Sequence, residues 1–321
     1  MSSAHHRLGR IVLLGAAAVA VLMPATAAHA DPSLSQIEAQ IKVESDKLEA
    51  VVEQYNGVTE QLKASQAQAA ELEARIQPLS TQLDEATKLV EALAVRAYQG
   101  GALAETSAIF AAADPSDAVD RMLTIDQVSR LEQQRISEAV NTRAQYDAEH
   151  ARYAQLIAEQ TAQQADLDAQ KAHIDENLTY LNDLRRQAYG TAQQTAARYS
   201  GPIPAVSGAA GVAVTFAYNA IGTPYVWAGE SPSGYDCSGL TKAAWGAAGV
   251  YMPHNTVMQW NALPHISRAD LAPGDLVFYS GLNHVAIYVG NGQIIHAPTF
   301  GETVKLASVD MMAPYGYARP G

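Results

Sequence analysis

Cysteine is nearly absent from this chain: there is one, Cys237, in 321 residues. A disulfide within the chain is therefore excluded, and so is a cysteine-rich zinc site. Aromatic residues make up only 7 % of the sequence, although apolar residues reach 48 %. A chain poor in rings and rich in Ala, Gln, Glu and Leu points to long helices rather than one large core. Basic residues are scarce too, 21 against 33 acids, for a formal charge of −12. No general basic footprint for nucleic acid or an anionic membrane exists, and no nucleic-acid partner is expected. Proline is rare between residues 31 and 190, where only Pro32, Pro78 and Pro115 occur. Past residue 22 no apolar run is long enough to span a bilayer, which takes about 20 residues.

What is present divides the chain. Arg7 and Arg10 precede the apolar run 11–22, Pro24 breaks it, and Ala28-His29-Ala30 follows. A basic start, a short apolar stretch and an A-x-A site describe a secretory signal over 1–30, so the mature protein is expected to begin at Asp31, secreted into the cell wall or periplasmic space. Residues 31–190 carry a seven-residue rhythm. Ile37, Ile41, Glu44, Leu48, Val51, Tyr55, Val58, Leu62, Ser65, Ala69, Leu72, Ile76, Leu79, Leu83, Ala86, Val90 and Leu93 follow an unbroken 4-3 alternation. Such a seam predicts a coiled coil. A second, weaker rhythm runs through Tyr146, Tyr153, Gln160, Leu167, Ile174, Leu181 and Ala188. Gly100-Gly101 ends the first helix, and Asp114-Pro115 starts the second as cap and first position. The expected fold is an antiparallel coiled-coil hairpin over 31–190, with short helices at a tip near 100–124. The apolar tip residues, among them Ala102, Leu103, Ile109, Phe110, Val119, Met122 and Leu123, either pack on one another or dock a partner. Residues 191–208 read as a linker, and 209–321 as a second, small α+β domain that holds all three tryptophans and Cys237.

That last segment carries the chemistry. Gly234-Tyr235-Asp236-Cys237-Ser238-Gly239-Leu240 sets the thiol where a turn becomes a helix. A helix N-terminus favours the thiolate, so a lowered pKa is expected there. A lone cysteine is either a small buried hydrophobe or a nucleophile with distant histidines. Pro273 to Tyr279 reads as turn and strand, His284 to Val289 as a strand, Gly290-Asn291-Gly292 as a hairpin turn, and Gln293 to Ala297 as a strand. A three-residue loop with Gly292 in a bulge sets His284 and His296 on one sheet face; a two-residue turn sets them on opposite faces. On one face, His284 can serve as base and His296 can orient it. Two histidines could also bind a metal, but no third ligand with suitable spacing is present, so neither metal nor other cofactor is expected. His265 reads as an ordinary surface histidine; His254 is open.

Four motifs in order, Gly222 to Gly229, Asp236 to Leu240, Pro273 to Phe278 and His284 to Gly290, resemble the NlpC/P60 family of cell-wall endopeptidases, which are papain-like cysteine peptidases. The resemblance covers about residues 209–321. It implies Cys237 as nucleophile, His284 as base and His296 as the orienting third residue. It also implies that the Tyr225 hydroxyl lies near the oxyanion, that Ser238 and the Cys237 backbone amide lie by the bound acyl group, and that Asp236 belongs to the same substrate or oxyanion set. The substrate it implies is a peptidoglycan stem peptide, cut between D-γ-glutamate and meso-diaminopimelate. Many members carry arginine where this chain has His254, which leaves the contact to a substrate carboxylate unassigned. The order signal, coiled coil, catalytic domain resembles the Rip-type actinobacterial hydrolases. It implies recruitment through the coiled-coil tip by an FtsE–FtsX-like membrane complex. Separately, a thiol tethered by a linker to a long, apolar-seamed hairpin raises the hypothesis of a rod that covers the Cys237 groove until a partner moves it. A non-catalytic wall-binding or divisome adaptor is the alternative.

Overall fold

The computed structural model describes residues 33–99, 107, 109–112, 114–190 and 197–321. The expected signal at 1–30, part of the tip and residues 191–196 of the expected linker lie outside the described residues. The architecture is an antiparallel helical hairpin joined to a small α+β domain.

Helix α1 (Leu34–Tyr98) starts at a reciprocal cap: Gln36 N–H donates to Ser33 Oγ, and Ser33 N–H donates to the Gln36 side chain at 2.8 Å. Its 65 residues extend about 100 Å at ~1.5 Å each. Helix α2 (Pro115–Tyr189) opens on Asp114, whose carboxylate accepts from Ser116 and Asp117 N–H at 2.9 Å, with proline at the first position as the sequence predicts. The two run antiparallel: Glu38 accepts from Tyr189, Gln40 meets Tyr180, and Arg75 and Arg96 face Glu149 and Glu132.

The seam is real but unevenly covered. Ile37, Ile41, Leu48, Leu62, Ser65, Ala69 and Leu72 are buried, as are Leu167, Ile174, Leu181 and Leu184 of α2. Beyond Leu72 the seam positions Ile76, Leu79, Leu83, Ala86, Val90 and Leu93 are only half-buried. Two helices alone shield one side of a seam residue. The inner third is buried because a third body, the C-terminal domain, covers it; Trp227 and Phe300 pack on the cluster of Leu48, Val52 and Ile174.

In that domain α3 (Gly208–Ala220) and α4 (Cys237–Ala247) pack on a six-stranded antiparallel sheet. A short hairpin, β1 (Glu230–Ser231) and β2 (Gly234–Tyr235), leads into α4, and α5 (Thr256–Ala262) follows it. The sheet comprises β3 (His265–Ile266), β4 (Leu276–Tyr279), β5 (His284–Gly290), β6 (Gln293–His296), β7 (Lys305–Ser308) and β8 (Pro314–Ala318), in the order β3-β8-β4-β5-β6-β7. Leu276, Phe278, Val285, Ile287 and Ile295 face the helices, while Val277, Tyr279, Ala286 and Ile294 form a second cluster on the other face. The period-two burial of both faces fixes the register of β4, β5 and β6.

Ile174 is fully buried between the helices and the domain. Ile174→Ala is expected to lower stability by about 2–5 kcal/mol, read as a fall in the urea midpoint of the helical circular-dichroism signal. An unchanged midpoint would contradict this packing.

Candidate active site

Cys237 is the first residue of α4, and its sulfur is buried. The helix start is held by Asp236, whose Oδ1 accepts from Gly239 N–H at 2.7 Å and bonds His254 Nε2 at 2.7 Å. Gly239 is required here, because a Cβ would stand 2.0 Å from the Gly229 carbonyl oxygen. His254 also bridges to Glu230 at 3.2 Å. His284 opens β5 with a ring nitrogen within 4.8 Å of the Cys237 sulfur. Its Nε2 lies 3.0 Å from His296 Nδ1. Cys237, His284 and His296 thus come together, with Asp236, Ser238, Tyr225 and His254 around them. His265 stands apart, exposed and stacked on Trp260 at 3.6 Å.

The histidine pair meets by a route that corrects the turn reading. The loop is two residues, Asn291 and Gly292, both at positive φ (53° and 69°), and it pairs Gly290 with Gln293. By itself it would set the rings on opposite faces. A bulge between Tyr288 and Gly290 absorbs one residue, so that Ile287 pairs with Ile295 and both histidines return to one face.

The site is covered. Helix α1 crosses it and inserts Glu49, Glu53, Asn56 and Glu60, a spacing of four, three and four that lines one helical face. Glu53 Oε1 accepts from Ser238 Oγ at 2.6 Å and lies 3.5 Å from Cys237 Sγ. Its Oε2 accepts from Thr256 N–H at 2.6 Å and from Asn255 Nδ2 at 3.2 Å. Glu49 Oε1 lies 2.5 Å from His284 Nδ1. Asn56 donates to Asp236 Oδ2 at 2.9 Å, and Glu60 accepts from Tyr251 at 3.3 Å. Tyr55 meets the Trp227 ring edge-on at 5.2 Å, and Arg185 of α2 donates to the Gly301 carbonyl at 2.9 Å.

Electrostatics follow from this cover. Burial, then the nearby Asp236 charge, raises Glu53 from 4.5 to about 6. Burial and the carboxylates of Glu53, Glu49 and Asp236 push the Cys237 thiol well above its usual range. The sequence expectation of a lowered thiol pKa is therefore reversed in the docked state: desolvation and three acids outweigh the helix end. Burial also raises the Tyr225 phenol, which senses Asp236, Cys237, Glu49 and Glu53 and so sits within the site. Burial, then His284, lowers His296 well below the ordinary histidine value. For His254 burial opposes the charge, but Asp236 and Glu53 overcome it and raise the ring.

The C-terminal motifs named above did not include the hairpin's contributions, nor Asn255 and Thr256. The polar stripe of Glu49, Glu53, Asn56 and Glu60, beside the apolar seam, is the signal in the sequence that marks them.

A family model described as NlpC/P60 family matches residues 222–316. The C-terminal segment of the chain is an NlpC/P60 domain. A crystal structure of the NlpC/p60 domain of a peptidoglycan hydrolase, SagA, is 43 % identical, with 34 % of this chain and 97 % of that one covered, at a TM-score of 0.32. A probable endopeptidase of Mycobacterium tuberculosis is 38 % identical over 107 residues, which are 33 % of this chain and 28 % of that protein. Protein P54 of Enterococcus faecium is 47 % identical over 113 residues, 34 % of this chain and 22 % of that protein. The shared segment spans about a quarter of the length of these curated relatives.

Docking raises the Glu53 pKa, so the docked form takes up a proton between about pH 4.5 and 6. The Glu53 contribution to docking is full below pH 4.5 and is lost, on the order of 2 kcal/mol, as pH rises through 6. Fluorotryptophan-labelled chain in metal-free buffer, followed through the Trp227 resonance, should show this trend, and Glu53→Gln should flatten it. A docked fraction that rises with pH would contradict the assignment.

Proposed function

We propose that this chain is an exported cysteine endopeptidase of peptidoglycan stem peptides, held latent by its own hairpin. The observation that carries the reading is the seat of the Glu53 carboxylate. It lies beside the thiol, held by the Ser238 hydroxyl, the Thr256 N–H and the Asn255 amide. A γ-linked glutamyl residue carries a free carboxylate a short way from its scissile carbonyl, and would present it to the same donors. This supports cleavage between D-γ-glutamate and meso-diaminopimelate. The same reading covers the missing arginine: with His254 bonded to Asp236 and Glu230, we assign the carboxylate contact to Ser238, Asn255 and Thr256.

With the hairpin away, His284 Nδ1 takes the Cys237 proton as sulfur attacks the carbonyl carbon. The Tyr225 hydroxyl and the Cys237 N–H lie by the oxyanion. His284 then gives the proton to the leaving amine, and water, deprotonated by the same ring, hydrolyses the thioester. His296 is the positioning residue, fixing the ring through Nε2. In the docked state Glu49 holds the nitrogen that must accept the proton, and Glu53 fills the carboxylate seat. Release is assigned to a partner, such as an FtsE–FtsX-like membrane complex, that grips the outer end of the hairpin. There Phe110, Val119, Met122 and Leu123 are exposed. Among the described residues no helix is long and apolar enough to cross a membrane.

The test is digestion of L-Ala-γ-D-Glu-meso-diaminopimelate by the chain and by a Glu49→Ala/Glu53→Ala variant, each with Cys237→Ala. The double variant is expected to release diaminopimelate at least tenfold faster than the parent, and Cys237→Ala to abolish release. No release from the double variant, with the tripeptide still bound, would move the assignment to an adaptor.

A further inference from the structure

We propose that Cys237, His284 and Glu49 bind a zinc ion, in a site that is complete only while the hairpin is docked. In the C-terminal segment alone the histidines lack a further ligand at metal-binding spacing. The hairpin supplies one. A ligand atom from each of Glu49, Cys237 and His284 lies within 4.8 Å of the other two. All three side chains are buried.

The chemistry of the set selects the metal. Thiolate, imidazole and carboxylate together suit zinc, whereas magnesium and calcium take oxygen ligands. Zinc bonds of about 2.0 Å to nitrogen and oxygen and about 2.3 Å to sulfur place tetrahedral donors roughly 3.3–3.6 Å apart. The Glu49–His284 contact of 2.5 Å would open by about 1 Å as the metal replaces the shared proton. His284 would ligate through Nδ1, leaving its Nε2–H to donate to His296 Nδ1, the outer hydrogen bond that orients metal-bound imidazoles. Binding converts the Cys237 thiol to a zinc thiolate and releases to solvent its proton and the one shared by Glu49 and His284. The local charge also favours a dication, since Glu49, Glu53 and Asp236 are all buried around the sulfur.

A route for the ion and its fourth ligand exists. A cavity of about 330 Å³ between hairpin and domain is lined by Ser45, Glu49, His284 and His296. Ser45 Oγ and His296 Nε2 are buried without a hydrogen-bond partner among the described residues, which suits a water-bearing space. A water in this space completes the tetrahedron. Zinc bound there caps the nucleophile and the base and ties α1 to β5, so the ion strengthens latency. The inference rests on the docked hairpin and on no particular scissile bond.

The test is metal titration of the purified, metal-free full chain, with cobalt(II) as the visible probe and zinc in competition. One equivalent of cobalt should give a thiolate-to-cobalt charge-transfer band that zinc displaces and Cys237→Ser removes. Glu49→Gln should weaken zinc at least tenfold while the fluorotryptophan signal of Trp227 still reports a docked hairpin. Tyr55→Ala, which keeps all three donors but weakens docking, should weaken zinc as well. Absence of the thiolate band, or zinc affinity unchanged in both Glu49→Gln and Tyr55→Ala, overturns the proposal. Neither readout involves hydrolysis, so these results stand apart from the outcome of the tripeptide digestion.

Discussion

Two carboxylates buried against a thiol and an imidazole are the contact on which the rest of this molecule turns. Burying a charge in this way is unfavourable unless its oxygens are fully met by donors. Glu53 meets that requirement, with Ser238 and Cys237 at one oxygen and Thr256 and Asn255 at the other. Asn56 does the same for the otherwise free oxygen of Asp236. Even so, desolvation still raises Glu53, so the polar contact alone does not hold the hairpin down. The favourable part comes from the apolar surround: Leu48 and Val52, nearly inaccessible, and the Tyr55–Trp227 ring pair.

The same centre explains why a thiol can sit at a helix start and yet have its pKa raised. A helix N-terminus contributes partial charge over its first turn. Glu49, Glu53 and Asp236 place full negative charges around the same sulfur, in a space from which water is largely removed. The larger and less screened charges win. Withdrawing α1 removes two of those three acids and restores solvent in one step, so a single movement frees the thiol and the acceptor nitrogen of His284 together.

Much of this was legible in the sequence, because periodic burial writes itself into residue order. The seam from Ile37 to Leu93 and its partner from Tyr146 to Ala188 fall on buried or half-buried positions in both helices. The Asp114-Pro115 start is a local signal, set by the backbone N–H groups it caps. Local motifs also give Cys237 at the start of α4 and His284 at the start of β5. Two things were not legible. The bulge at Tyr288–Gly290 is fixed by cross-strand packing of Ile287 on Ile295, so turn residues alone suggested either face. The partners on which α1 docks were not legible either, although the polar stripe marks the docking face: contacts such as Asn56 to Asp236 lie about 180 residues apart. Gly57 hints at it: a glycine inside a helix costs about 1 kcal/mol, and here a Cβ would come 3.3 Å from Asn255 Nδ2.

The length of α1 gives the cover its mechanical character. The docking face, Glu49 to Glu60, and the exposed outer half belong to one helix that continues from Leu34 to Tyr98. Over the inner part the seam is buried by three bodies, and over the outer part by two, so the inner part resists local melting while the outer part presents surface to others. A body bound at the outer end would therefore be joined to the site by one continuous helix. The polar stripe sits near the inner end of that arm, where a small rotation of α1 about its own axis would turn Glu49, Asn56 and Glu60 together out of their seats. Because these residues share one helical face, the hydrogen bonds to His284, Asp236 and Tyr251 would be lost in concert, and exposure of the site would be cooperative rather than graded.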